Sequence, residues 1–257
     1  MTEAVDQGHV NVSTNEAGIA TIEFGHPLSN SLPGKILQKL AETITSLGKD
    51  DSVAVIILKS AGERAFCAGA SFEELSSINN KKEGKSFFMG FANVINAARK
   101  CPKLIIGRVQ GKAVGGGVGM ACAVDYCYAT KFASIKLSEL AVGIGPFVVG
   151  PAVERKSGLS AYSTLSVNAT KWFDAIWAKD KGIYSEVFDS NEKMDEAINN
   201  LSQNLLNSNP EAMKKLKEVF WEKNKNWDKL LEERAEYSGE LVLSDFTKNA
   251  IAKFKNK

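Results

Sequence analysis

Four glycines fall within five positions of the run AVGGGVGMAC (113–122): Gly115, Gly116, Gly117 and Gly119. Glycine weakens helix and strand interiors alike, so a cluster inside an apolar stretch marks backbone that must approach another group closely or adopt a conformation closed to other residues. Two familiar uses fail on spacing. A dinucleotide fingerprint needs G-x-G-x-x-G, and counting from Gly115 puts Met120 where the last glycine belongs. A phosphate loop of the Walker kind needs a lysine after the glycines, and none follows. Two readings remain: close packing of a helix on a strand, or main-chain N–H groups at a helix N-terminus facing an anion or an oxygen on which charge develops.

A second run, RAFCAGASFEEL (64–75), repeats the pattern. Ala68, Gly69 and Ala70 are small residues with accessible amides between a strand-like and a helix-like segment, and two such junctions can converge on one point. Side-chain nucleophiles fit poorly. His9 and His26 are the only histidines and neither stands near these runs, so a Ser–His–Asp or Cys–His hydrolase is not indicated, and Cys67 reads as a packed neighbour.

The elements that must position these residues can be read from periodicity. HVNVST and IATIEF, joined by NEAG, form a hairpin. A helix is expected over about 32–47, with Leu37, Leu40, Ile44 and Leu47 on one face. VAVIILKS (53–60) and KLIIGRVQG (103–111) are apolar, β-branched runs suited to strands buried on both sides, with a helix over about 83–99 between them. The glycine run stands directly after the second. VDYCYAT (124–130) and ASIKLSE (133–139) read as further short strands, and from about 148 the pattern is helical, broken once by IYSEVF (183–188). The layout is α/β, with a core over 1–190 and a helical region over 191–257. Leu230, Leu231, Leu241, Val242 and Phe246 in that region need an apolar partner, which a thin terminal layer often finds on another subunit.

Composition bounds the partners. The 257 residues are 44% hydrophobic, and 32 basic against 30 acidic residues leave a net charge of +2. With the charges interspersed, nucleic acid is not an expected partner. No window approaches eighteen uninterrupted apolar residues, and MTEAVDQGHV has neither a basic nor an apolar leader segment, so no membrane association and a cytoplasmic location are expected. The four cysteines show no CxxC spacing, which supports neither a disulfide framework nor a metal site.

The segments AFCAGASFEEL, VQGKAVGGGVGMACAVDYCYAT, KLSELAVGIGP and, more weakly, NATKWFDAIWAKDKGIYSEVF resemble the crotonase superfamily, the enoyl-CoA hydratase/isomerase family, over about residues 10–190. The resemblance implies a crotonase (ClpP-like) spiral of ββα turns with a C-terminal helical trimerisation region, assembled as a homotrimer or a dimer of trimers. It implies an acyl-CoA substrate, with CoA entering as part of the substrate and no separate cofactor. By motif position the N–H groups of Ala68 and Gly116 form an oxyanion hole for the thioester carbonyl, with Gly69 and Ala70 beside them and Gly115 and Gly117 shaping the turn. Lys257 aligns with a basic position that meets the CoA phosphates.

Hydratases of the family carry a glutamate two residues after the three glycines and another twenty residues on. Here the first position is Gly119 and the second is Glu139. Leu137, Leu140, Ala141 and Val142 around Glu139 would desolvate its carboxylate and raise its pKa toward the range useful for proton transfer; the alternative is an ordinary loop glutamate in a surface pair. One carboxylate suits movement of a double bond from C3 to C2 of an acyl-CoA. Hydration is the alternative, as is a catalytically silent CoA-thioester binder. Asp125 matches a family aspartate and reads as structural. Glu73 and Glu74 open a helix, and Ser71 replaces a common family aspartate.

Overall fold

In the computed structural model, which describes residues 8–255, the hairpin of β1 (His9–Thr14) and β2 (Ile19–Gly25) is in place. Asn15 closes its turn by accepting the Ala17 and Ile19 N–H groups. β3 (Ser31–Leu32) leads into α1 (Gly34–Lys49), which starts two residues later than expected because Pro33 occupies the N-cap.

Three successive turns then follow one plan: strand, short strand, helix. The first is β4 (Val55–Ser60), β5 (Ala65–Cys67) with its continuation β6 (Gly69–Ala70), then α2 (Phe72–Ser77) and α3 (Lys81–Lys100). The second is β7 (Leu104–Val109), β8 (Lys112–Val114) and α4 (Gly116–Ala123). The third is β9 (Tyr126–Thr130), β10 (Ser134–Lys136), a 3-10 turn at Glu139–Val142 and α5 (Gly150–Val167). Then come β11 (Phe173–Asp174), α6 (Ala175–Asp180) and β12 (Glu186–Phe188). The long strands build a six-stranded sheet in the order β1-β2-β4-β7-β9-β12, parallel except for β1. The short ones build a second sheet, β11-β10-β8-β5, while β3 pairs with β6. This repetition is the expected spiral of ββα turns. One detail differs: β8 stands between β7 and the glycines, because the chain changes sheets at Gln110–Gly111 before it turns into α4.

The last third is helical: α7 (Asn191–Leu206), α8 (Pro210–Trp221), α9 (Trp227–Leu241) and α10 (Asp245–Lys255). α7 covers one face of the six-stranded sheet, where Met194 and Ile198 pack with Val55, Ile57 and Ile106. α9 crosses α3 with Gly84 against Gly239, and Lys85 bridges Glu232 (2.6 Å) and Glu236 (2.7 Å) across the crossing. Trp227, Leu231 and Ala235 belong to the same continuous core as the sheets, so the apolar interior runs on past residue 190. Leu231 and Val242 find their partners within the chain, while Leu241 and Phe246 stay exposed. Among the described residues no helix is long and apolar enough to cross a membrane.

Asp125 ties these layers together. Its carboxylate accepts the Ile105 N–H at 2.8 Å, the Lys217 Nζ at 2.7 Å and the Trp221 Nε1 at 3.4 Å, all in the interior. A buried charge survives only when paired and hydrogen-bonded, which assigns Asp125 the structural role expected of it.

Candidate active site

The ends of β6 and β8, the start of α4 and the 3-10 turn surround a cavity of about 170 Å³, into which Ala68, Gly69, Ala70, Gly115, Gly116 and Glu139 all open. The two glycine-bearing junctions and the single glutamate therefore do converge.

Gly115 is the N-cap of α4 with φ +51°, a conformation that glycine adopts without strain. Its N–H donates to Lys136 O at 2.9 Å, pinning the turn to β10. A Cβ at this position would lie 2.8 Å from Glu139 Oε1, so the glycine also makes room for the carboxylate. The Gly116 N–H belongs to the first turn of α4, where amides have no intrahelical acceptor.

Ala68 requires a correction. It lines the cavity, but its N–H donates to Ser29 O at 3.2 Å and is not available to a ligand. Three residues on, the Ser71 N–H donates to Leu32 O at 3.0 Å within the parallel pairing of β3 and β6. Gly69, with φ +96°, breaks the alternation between Ala68 and Ser71, and because neighbouring backbone groups on a paired strand face opposite sides, the Ala70 N–H just before Ser71 is turned away from β3. Ala70, not Ala68, carries the open amide of this segment. The sequence signal that was missed lies elsewhere, in HPLSNS (26–31). Ser29 and Asn30 both have positive φ, and buried Asn30 donates to Ala61 O and Ala65 O while accepting the His26 N–H. That turn holds the Ala68 peptide.

Glu139 opens the 3-10 turn, which Gly143 closes in the left-handed conformation. Its Oε2 is buried without a hydrogen-bond partner, and burial pushes its pKa from 4.5 up to about 7. The surface-pair alternative is thereby set aside. Among the described residues that line the cavity, Glu139 is the one ionisable side chain.

The walls are apolar and aromatic. Phe87, Phe88 and Phe91 reach in from α3, Phe72 from α2 and Phe147 from the segment before α5. These rings went unread in KSFFMGF and GPFVVG, where they look like ordinary core. Gly119 does not line the cavity. A Cβ there would stand 2.6 Å from Val149 Cγ1 and 3.4 Å from Ile95 Cδ1, so Val149, a cavity residue, fills the space a side chain at 119 would enter.

The remaining candidates take structural places. The Cys67 thiol is buried and pushed up to about 12, far from a thiolate. The Ser71 hydroxyl caps α2 by accepting the Glu74 N–H at 3.3 Å, and Glu74 Oε2 accepts the Gly34 N–H at 2.8 Å. Lys257 lies outside the described residues.

A family model described as enoyl-CoA hydratase/isomerase matches residues 14–257. A peroxisomal Delta(3,5)-Delta(2,4)-dienoyl-CoA isomerase from Arabidopsis thaliana is 27% identical over 244 residues, covering 87% of this chain and 84% of that protein. A mitochondrial methylglutaconyl-CoA hydratase from Mus musculus is 30% identical over 189 residues, covering 72% of this chain and 60% of that protein. In fold, the crystal structure of an enoyl-CoA hydratase from Bacillus halodurans superposes with a TM-score of 0.86 at 21% identity, covering 95% of this chain and 99% of that one.

Proposed function

The chain belongs to the enoyl-CoA hydratase/isomerase family, and from that premise we propose that it is an enoyl-CoA isomerase that moves a double bond from C3 to C2 of an acyl-CoA. The observation that carries this reading is the lone carboxylate: Glu139 is the one ionisable group lining the cavity, and Val149 fills the space beside Gly119.

In this reading the thioester oxygen lies about 3 Å from the Ala70 and Gly116 N–H groups, within reach of both donors. The Glu139 carboxylate takes a proton from C2. The C2–H electron pair forms a double bond to C1 and charge moves onto the oxygen, where the two amides stabilise it. Collapse of this dienolate restores the carbonyl and forms the C2–C3 double bond, while the C3–C4 pair takes the proton back from Glu139 at C4. Nothing is added or oxidised. A pKa near 7 suits both halves, because the group must accept and release the same proton at comparable driving force.

Hydration asks for more. A water must be held and activated, normally between two carboxylates, and Glu139 is the one carboxylate among the described residues that line the cavity. The family also includes hydratases, which keeps addition of water as the outcome to test against. An acyl-CoA binder without activity is the third.

Purified protein supplied with a 3-enoyl-CoA should raise the absorbance of the conjugated thioester, and supplied with a 2-enoyl-CoA should leave it unchanged. A fall with the second substrate would establish a hydratase. Glu139→Gln keeps the shape of the side chain and removes its base, so the isomerisation rate should drop by about 10²-fold or more with acyl-CoA affinity nearly unchanged. Loss of neither reaction in that variant would remove Glu139 from the mechanism.

A further inference from the structure

Five of the 13 phenylalanines line this one cavity, and among the described residues its lining includes no lysine, arginine or histidine. Resting on the reading of Ala70, Gly116 and Glu139 as the thioester end of the site, we infer that the enzyme takes a compact, uncharged acyl group of about six carbons, aromatic rings included, and rejects acyl groups that carry a charge or a long chain.

Size sets the first limit. The cavity holds about 170 Å³, close to the roughly 150 Å³ of a dry, Leu/Ile/Phe-lined protein cavity that accommodates benzene. A six-membered ring or a chain of similar volume is covered by these walls, whereas the far end of a twelve-carbon tail would lie beyond them. Phe87 and Phe88 meet edge to face at 5.1 Å between centroids, and a ring entering beside them meets the same offset and edge contacts that aromatic groups favour.

Charge sets the second limit. A second carboxylate on the acyl group would enter a wall with no cation among the described residues and would face Glu139, and an unpaired ion in an apolar site is strongly disfavoured. A quaternary ammonium fares little better. The rings are all phenylalanine, whose faces hold cations less well than tryptophan, and the only anion is the carboxyl that must exchange a proton.

Saturated thioesters cannot react, so their binding isolates recognition from catalysis. Calorimetric titration should show 3-phenylpropanoyl-CoA and hexanoyl-CoA binding at least about tenfold more tightly than glutaryl-CoA, 4-(trimethylammonio)butanoyl-CoA and dodecanoyl-CoA. Any of those three within about threefold of hexanoyl-CoA would overturn the inference. If no thioester binds better than CoA itself, the thioester site falls, and the inference with it. Phe87 is half-buried and stands outside the main core. Phe87→Arg should therefore shift the glutaryl-to-hexanoyl affinity ratio at least about tenfold toward glutaryl-CoA. An unchanged ratio would mean that the acyl group does not enter this cavity.

Discussion

At Glu139 the demands of chemistry and of stability oppose each other. The folded chain holds its carboxyl at a pKa of about 7 against 4.5 for the unpacked group, so the native state binds this proton more tightly than the unfolded state does. The contribution to stability is complete below about pH 4.5 and is lost as the pH rises through about 7. Glu139→Gln stays neutral throughout. Its stability relative to the parent should rise by roughly 2–3 kcal/mol between about pH 5 and pH 8, measured by urea unfolding at each pH. An unchanging difference would place the carboxyl in water. If the proposed isomerisation holds, the same titration predicts a parent rate that climbs with pH through about 7 as the base form appears.

Helices and strands are coupled through a different buried ion. Lys217 on α8 reaches Asp125 beside β9 and also donates to Lys103 O at 2.7 Å, next to the start of β7. Lys217→Met removes the cation and leaves Asp125 charged in the interior, for an expected loss of about 3–5 kcal/mol. Adding Asp125→Asn removes that orphaned charge and should restore much of the stability, since the amide oxygen still accepts the Ile105 N–H. Unfolding curves of the two variants measure the difference, and equal losses would mean that the pair acts only through packing. α10 has another part. Phe246 and Thr247 sit against Gly143, and Ile251 clusters with Val242 and Ile144, so the chain's own last helix backs the turn that presents Glu139.

For the molecule as a whole, exposed apolar side chains stand both on the C-terminal helices first suspected, as at Phe246 (68%) and Val219 (58%), and in a second region. Val167 is 73% exposed, Phe132 67%, Leu159 64% and Ile176 55%, on or next to α5, α6 and the end of β9. Exposed apolar side chains of this size offer surface for association with another copy. We propose that the chain assembles as a homotrimer or a dimer of trimers, which would cover such side chains. Light scattering at micromolar concentration should report three or six copies, and Leu159→Glu with Ile176→Glu should shift the population to monomer. A monomeric parent would overturn it.

Much of this was legible in the amino-acid order. The alternation of IATIEF and the β-branched runs around residues 55 and 105 specify strands because local periodicity and burial agree there. The glycines at 115–117 and the lone glutamate at 139 pointed to the site because few other chemistries use bare backbone at a strand-to-helix turn. What sequence could not settle was which amide is open. Ala68 and Ala70 are identical in type, and what separates them is the break at Gly69, with φ +96°, together with pairing to Ser29–Leu32, some forty residues away. The burial of Glu139, the five rings around it and the occupation of the space at Gly119 by Val149 are likewise products of long-range packing. Local order selects the elements and the residue types; only the closure of the chain on itself decides which groups water can reach.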